Sequence, residues 1–258
     1  MLILGIETSG ACGSVALCSD QELLHQCWLP EGFGHARNIV TAVDDVVRMS
    51  GAARDQIGAV AVSEGPGAFT GLRVGVSCAK TLAYVLGWRA VGVPSLEVAV
   101  QNVDAARWGC TLACPLRDAR RRFVYGQVFR WEDGVWKGVT EVFMGTPAEV
   151  AARLPRPALV FGTGLEAYRD VFLEAAQAGG ALRPAPPWLG EGQAAHVARI
   201  GLRLIHEGKA VDPMQLVARY YRRTEAEEKM ADRTWAGMPL PARPGRGADR
   251  RGGGTNED

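Results

Sequence analysis

Apolar and polar positions follow two rhythms along this chain, and each change of rhythm marks an element. A short apolar run over residues 2–7 ends in the turn Thr8-Ser9-Gly10, and further runs cover 14–18 and 22–29 with Asp20-Gln21 between them. The chain therefore opens as a three-strand meander. The period then lengthens: Ala36, Ile39, Val40, Val43, Val46 and Val47 recur at helical spacing, and Gly51 stops the helix. A buried strand over 57–62 runs into the glycine-rich loop 63–71. A second helix follows over 72–86, with Thr70 as its N-cap and Gly87 as its stop, and then a strand over 90–93 closed by Pro94.

The same order recurs more weakly afterwards. A strand over 111–116 ends in the turn Arg117-Asp118-Ala119-Arg120. Alternating positions over 123–131 pair across Glu132-Asp133-Gly134 with 135–143 as a hairpin. A short helix at 147–154 starts on Pro147, a strand at 159–161 ends in Gly162-Thr163-Gly164, and helices occupy 166–178 and 193–206. The repeat is one of element order and not of residue identity. From Asp232 onward Pro, Gly and Arg replace apolar residues, so that tail is expected to be disordered and dispensable.

Composition narrows the picture only slightly. The 258 residues are 47% hydrophobic and 22% charged, as expected of a soluble globular protein. With 29 basic against 28 acidic residues the net charge is +1, which argues against nucleic-acid binding by bulk electrostatics. The six cysteines, Cys12, Cys18, Cys27, Cys78, Cys110 and Cys114, form no CxxC pair and read as small buried hydrophobes in a reducing cytosol. The N-terminus lacks the basic segment of a signal peptide, and no apolar run has the roughly 20 residues that span a bilayer. The expected location is cytoplasmic.

Candidate chemistry is sparse. The glycine loop precedes a helix, where backbone N–H groups cradle phosphate, yet it has no P-loop lysine, and a tight turn is the simpler role for Gly65, Gly67 and Gly71. His25, His35, His196 and His206 form no HxxxH or HExxH pair, and His35 reads as a solvated or capping residue. Glu7 and Asp118 each end a strand, as a carboxylate facing a metal–phosphate would, or as an ordinary polar strand end. The second helix is more informative. Leu72, Gly75, Val76, Ala79, Leu82, Ala83 and Leu86 fill one face, and Val74, Cys78, Thr81 and Val85 another. A helix apolar on two faces needs two covers. One is its sheet; the other is the first helix, a partner protein or both, unless the helix is buried entirely within the chain.

Several segments together resemble the TsaB (YeaZ) family over residues 1–225: MLILGIETSGACGSVAL, SEGPGAFTGLRVGVSCAKTLAYVLG, VGVPSLEVAVQ, PLRDARRRFVYGQVF, the GTG turn at Gly162 and the closing ARYYRR. The resemblance implies an α/β protein with a duplicated actin-like (ASKHA, ribonuclease H-like) fold, two mixed sheets flanked by helices. Its halves would span 1–103 and 104–225, with the tail at 226–258. It implies a non-catalytic scaffold subunit that dimerises with a TsaD-like transferase in tRNA threonylcarbamoyladenosine modification, alongside a TsaE-like ATPase. The surface that meets the transferase could also support a homodimer when the transferase is missing, which leaves homodimer and monomer both open in isolation; contact with tRNA would be indirect or weak, with no membrane role. The partner surface would comprise Ile39, Val43, Val74, Cys78, Thr81 and Val85. A vestigial nucleotide cleft would comprise Glu7, Thr8, Asp118, Gly162 and Gly164, which leaves ATP or ADP open there or at the subunit interface. No metal is expected, because Ser95 and Ala99 stand where the transferase carries its HxxxH histidines. The competing readings are an ATPase or sugar kinase of the same superfamily, disfavoured by Glu7 in place of aspartate, and a metal-dependent glycopeptidase-like enzyme, disfavoured by the missing HxxxH.

Overall fold

The first five strands are β1 (Leu2–Glu7), β2 (Ser14–Cys18), β3 (Leu23–Trp28), β4 (Ile57–Gly65) and β5 (Arg89–Pro94), with α1 (His35–Ser50) and α2 (Phe69–Leu86) among them. After the short helices α3 (Ser95–Val100) and α4 (Ala105–Trp108), the chain forms β6 (Leu112–Asp118), β7 (Val124–Gly126), β8 (Phe129–Glu132), β9 (Val135–Gly138) and β10 (Phe143–Gly145). Then come α5 (Pro147–Arg153), β11 (Ala158–Phe161), α6 (Thr163–Ala167), α7 (Arg169–Gly179), β12 (Leu182–Pro184) and α8 (Ala194–His206). This computed structural model describes residues 1–30, 35–179 and 181–221. The expected 226–258 tail and the last two residues of ARYYRR lie outside the described residues.

The repeat of element order becomes a repeat of topology. The first sheet runs β3-β2-β1-β4-β5 and the second β10-β7-β6-β11-β12. In each, the opening strand pairs antiparallel with its second strand and parallel with its fourth, and the fourth pairs parallel with the fifth. The molecule is thus a duplicated ribonuclease H-like fold of the actin-like class, with mixed sheets flanked by helices. The hairpin β8–β9 is an addition to the second copy, turned by Asp133 and Gly134, both at positive φ.

Covered faces explain why β1, β2 and β4 read as apolar runs rather than as alternation. On one side of the first sheet Leu4, Ile6, Val15, Val60 and Val62 pack against Ile39, Val46 and Val47 of α1 and Val76, Ala79 and Ala83 of α2. On the other, Ile3, Ala16, Ala59 and Ala61 pack against Val197, Ala198 and Ile200 of α8. Helix α8 follows the second sheet in sequence yet covers the first. Residues 211–221 then run back along α2: Val211 bridges to Ala90, Leu216 is buried, and Arg219 donates its N–H to the Glu64 carbonyl and its guanidinium to the Glu64 carboxylate at 2.8 Å.

Several local expectations are corrected. Thr70 is not the cap of α2. The helix begins at Phe69 with Ala68 as N-cap, because the Ala68 N–H is anchored on the Ser9 carbonyl at 2.8 Å. The long alternating strands break at Gln127-Val128, where Thr140 supplies its hydroxyl to Val128 N–H and its carbonyl to the Gln127 amide. Tyr168 leaves helical geometry and divides the 166–178 helix into α6 and α7. Arg117 and Asp118 remain in β6, so the turn begins at Ala119. Within it Arg120, Arg121 and Arg122 have φ of 61°, 52° and 64°. Three non-glycine residues in succession in the left-handed region cost about 1–2 kcal/mol each. The Asp118 carboxylate braces the turn, accepting the Arg120 N–H at 2.8 Å and its guanidinium at 3.2 Å.

Candidate functional site

Two features compete for a functional role, the junction between the two sheets and the outer face of α1 and α2. At the junction β1 ends in Glu7, Thr8 and Ser9, all fully buried. The Glu7 carboxylate accepts Ser9 N–H at 2.6 Å and Ser9 O–H at 2.5 Å, and Thr8 donates its hydroxyl to the Gly71 carbonyl at 2.8 Å. From β6, the nearly buried Arg117 donates to the Ser9 carbonyl at 2.7 Å. Glu191, before α8, completes the cluster. Burial pushes its carboxyl above the usual range, against the pull of Arg117 and with the help of Glu7. Asn102 pins this loop by donating to the carbonyls of Leu189 and Glu191 at 2.9 and 2.7 Å.

Glycines make these approaches possible. A Cβ on Gly192 would lie 2.5 Å from the second Glu7 oxygen, and one on Gly67 2.6 Å from the Ser9 carbonyl. Gly65 has φ of +127°. The glycine loop is therefore the tight turn that residue chemistry favoured, closed over the end of β1. Gly162 and Gly164 sit under β6, where an added Cβ would lie 2.5 Å from the Leu116 carbonyl oxygen and 3.0 Å from the Arg117 carbonyl carbon.

Of the expected cleft residues, Glu7 and Thr8 meet here, with Gly162 and Gly164 packed beneath, while the Asp118 carboxylate turns to Arg120. Arg117 and Glu191 were not anticipated. A charged residue near the end of the apolar stretch ACPLRD was the one signal for Arg117, and Glu191 had none. Glu7 already occupies the Ser9 amide, and the charge of Arg117 acts on the Glu191 carboxyl. Among the described residues, no group of three His, Cys, Asp or Glu could hold a metal ion. Ser95 and Ala99 are both buried on α3, with the Ser95 hydroxyl accepting Gly65 N–H at 3.1 Å. His35 is buried rather than solvated, its ring 3.5 Å from the Gly10 carbonyl.

The helix pair presents a different chemistry. On α2, Gly71, Leu72, Gly75, Val76, Ala79 and Ala83 are buried, Val74 and Cys78 half-buried, and Thr81 and Val85 exposed, Val85 to 71%. On α1, Ile39 is only 3% exposed and belongs to the core beneath the surface, Val43 is half-buried, and Val40 is 70% exposed. Tyr84 and Leu86 extend the exposed apolar stripe. The 18 residues of α2 carry two charges, Arg73 and Lys80, and both turn to the 211–221 segment: Lys80 donates to the Met214 carbonyl at 2.8 Å and Arg73 to the Tyr220 hydroxyl at 3.0 Å. Burial pushes the Cys78 thiol to about 11, so it too stays neutral. The six cysteines are free thiols. Cys18 and Cys114 are buried and the other four half-buried, a more open placement than expected. Among the described residues no helix is long and apolar enough to cross a membrane.

Comparison with known proteins gives these features a context. Residues 33–157 match the TsaD family model, tRNA N6-adenosine threonylcarbamoyltransferase. The chain is 30% identical over 238 residues to the tRNA threonylcarbamoyladenosine biosynthesis protein TsaB of Escherichia coli, covering 89% of this chain and 98% of that one. It is 28% identical over 232 residues to TsaB of Bacillus subtilis, covering 89% and 97%. The structure of YeaZ from Pseudomonas aeruginosa superposes with a TM-score of 0.71 at 23% identity, over 85% of this chain and all of that one, and so shares its fold. With two near-full-length relatives of one kind and the same duplicated architecture, the chain belongs to the TsaB family of tRNA threonylcarbamoyladenosine biosynthesis proteins.

Proposed function

We propose that this chain is a non-catalytic subunit in tRNA N6-threonylcarbamoyladenosine modification, and that it pairs with a TsaD-like transferase through the outer face of α1 and α2. The observation that carries this reading is the uncharged stripe of Cys78, Thr81, Tyr84 and Val85 on α2, continued by Val40 on α1. An exposed apolar stripe of this kind is a contact surface in search of a cover. Val74 and Val43 line its floor, and Ile39 supports it from below. A non-catalytic role is supported by Ser95 and Ala99, both buried, neither of which supplies a metal-binding imidazole. In this reading a TsaE-like ATPase joins the pair, tRNA contacts are weak, the setting is cytoplasmic, and the same face closes an isologous homodimer when the transferase is missing.

The test is co-purification with the TsaD-like subunit of the same genome, read alongside threonylcarbamoyl transfer to tRNA. Co-elution is expected, with no transfer by the chain alone. Transfer by the lone chain, or failure to co-elute, would overturn the proposal.

A further inference from the structure

We infer that the surface offered to the transferase subunit includes residues 211–221 alongside α1 and α2, an inference that rests on the proposed pairing through those helices. Size motivates it. A stable, specific interface buries about 800 Å² on each partner and draws on about 20–30 residues a side. Val40, Cys78, Thr81, Tyr84 and Val85 fall well short of that extent. The ground beside them has to contribute, and on the flank of α2 that carries Arg73 and Lys80 that ground is the returning segment.

The chemistry of the segment suits the role. Leu216 is buried and Ala218 packs on the same core, so these two residues tie the segment to the fold. Its two charged side chains are engaged: the Asp212 carboxylate accepts the Met214 N–H at 2.6 Å, and Arg219 meets the Glu64 carboxylate at 2.8 Å. What the segment leaves in water is apolar. Met214 is 62% exposed and Val217 60%, and Tyr220 is exposed as well. A single exposed apolar residue needs no explanation, whereas a row of them at every third position does. The row runs along α2, with Met214 beside Lys80 at one end and Tyr220 beside Arg73 at the other. One helical turn takes Arg73 to Ser77 and Lys80 to Tyr84, and another takes Ser77 to Thr81, so helix geometry joins the row to the exposed stripe. The segment also draws both charges of α2 towards itself and off the stripe. An uncharged apolar surface of this kind fits a stable protein partner and offers nothing to phosphate.

The experiment titrates the full chain against the TsaD-like subunit by calorimetry. Two double variants are compared, Met214→Asp with Val217→Asp and Met214→Arg with Val217→Arg. Each should weaken pairing by about tenfold to a hundredfold, because a charge of either sign is costly to enclose in an apolar contact. The free variants should keep the parent Tm, since both side chains already stand mostly in water. Val85→Glu is titrated alongside. If Val85→Glu weakens pairing while both double variants bind like the parent, this inference falls and the reading of α1 and α2 stands; if all three bind like the parent, both fall. Weakening by one sign of charge alone would indicate a charged contact and overturn the apolar one. A fall in Tm of more than about 4 °C would show that the row is covered within the chain. A double variant that turns an isolated dimer into a monomer yet still pairs with the transferase would assign the row to a second copy. Either result overturns the inference.

Discussion

Val85 lies in the last turn of α2 with 71% of its surface in water, and Val85→Glu separates partner binding from folding. In the free chain the new carboxylate stays solvated. It opposes the helix dipole by about 0.3–1 kcal/mol near the C-terminus, partly offset by the better helix propensity of glutamate. Tm should therefore move by no more than about 4 °C for a fold of this size. In the complex the balance differs. Burying a valine side chain contributes about 1.5–3 kcal/mol, and 71% of that surface remains to be covered, so about 1–2 kcal/mol is lost. Enclosing an unpaired carboxylate costs at least about 2–3 kcal/mol more. The sum of roughly 3–5 kcal/mol weakens pairing between about a hundredfold and a few thousandfold. Titration calorimetry against the TsaD-like subunit, with circular dichroism of the free variant, checks both halves. Unchanged affinity would place the partner elsewhere, and an unfolded monomer would show that this stripe is core.

Three further outcomes are expected. His196 on α8 is held at about 4, below its usual 6.5, chiefly by burial and secondarily by Arg199. The folded state thus rejects a proton the unfolded state accepts, so the stability from neutral His196 is present above pH 6.5 and is lost as pH falls from 6.5 towards 4. The loss is about 3 kcal/mol; His196→Gln should flatten a urea-derived stability profile over that window, and an unaltered slope would refute the assignment. Gly75→Ala should destabilise by about 1–3 kcal/mol although alanine is the better helix former, because its methyl meets the Thr8 hydroxyl and, at 3.3 Å, a Val62 methyl; a raised Tm would contradict this. Arg117→Ala removes the hydrogen bond to the Ser9 carbonyl and the guanidinium whose charge acts on buried Glu191. It should cost about 3 kcal/mol in chemical denaturation, and a neutral effect would show that the carboxylates relax without it.

Much of this fold was legible because its elements are short and sharply punctuated. Gly87, Pro94, Pro147 and Asp133-Gly134 each end or start an element where residue chemistry placed them. The duplication was visible as element order, and the strand pairing turned it into topology. What periodicity could not show was destination. The apolar stripe of α8 reads the same whether it covers the second sheet, which precedes it in sequence, or the first, on which it lies. Likewise Glu7, Arg117 and Glu191 lie far apart in the chain, and no spacing rule connects them. On α2 both stripes are apolar, so sequence left open which one faces water. Val85 is the exposed end of that stripe, while Ile39, expected at the surface on α1, lies below it.

The placement of α8 bears on how the protein emerges from the ribosome. One face of the first sheet, with Ile3, Ala16, Ala59 and Ala61, has no cover until Val197, Ala198 and Ile200 are synthesised. Through the making of the whole second sheet, the nascent first half carries a bare apolar surface, and domain-by-domain folding during synthesis cannot complete it. Truncated products ending before α8 should therefore be captured by chaperones or precipitate, whereas the finished chain covers that face of the first sheet as its last helix packs.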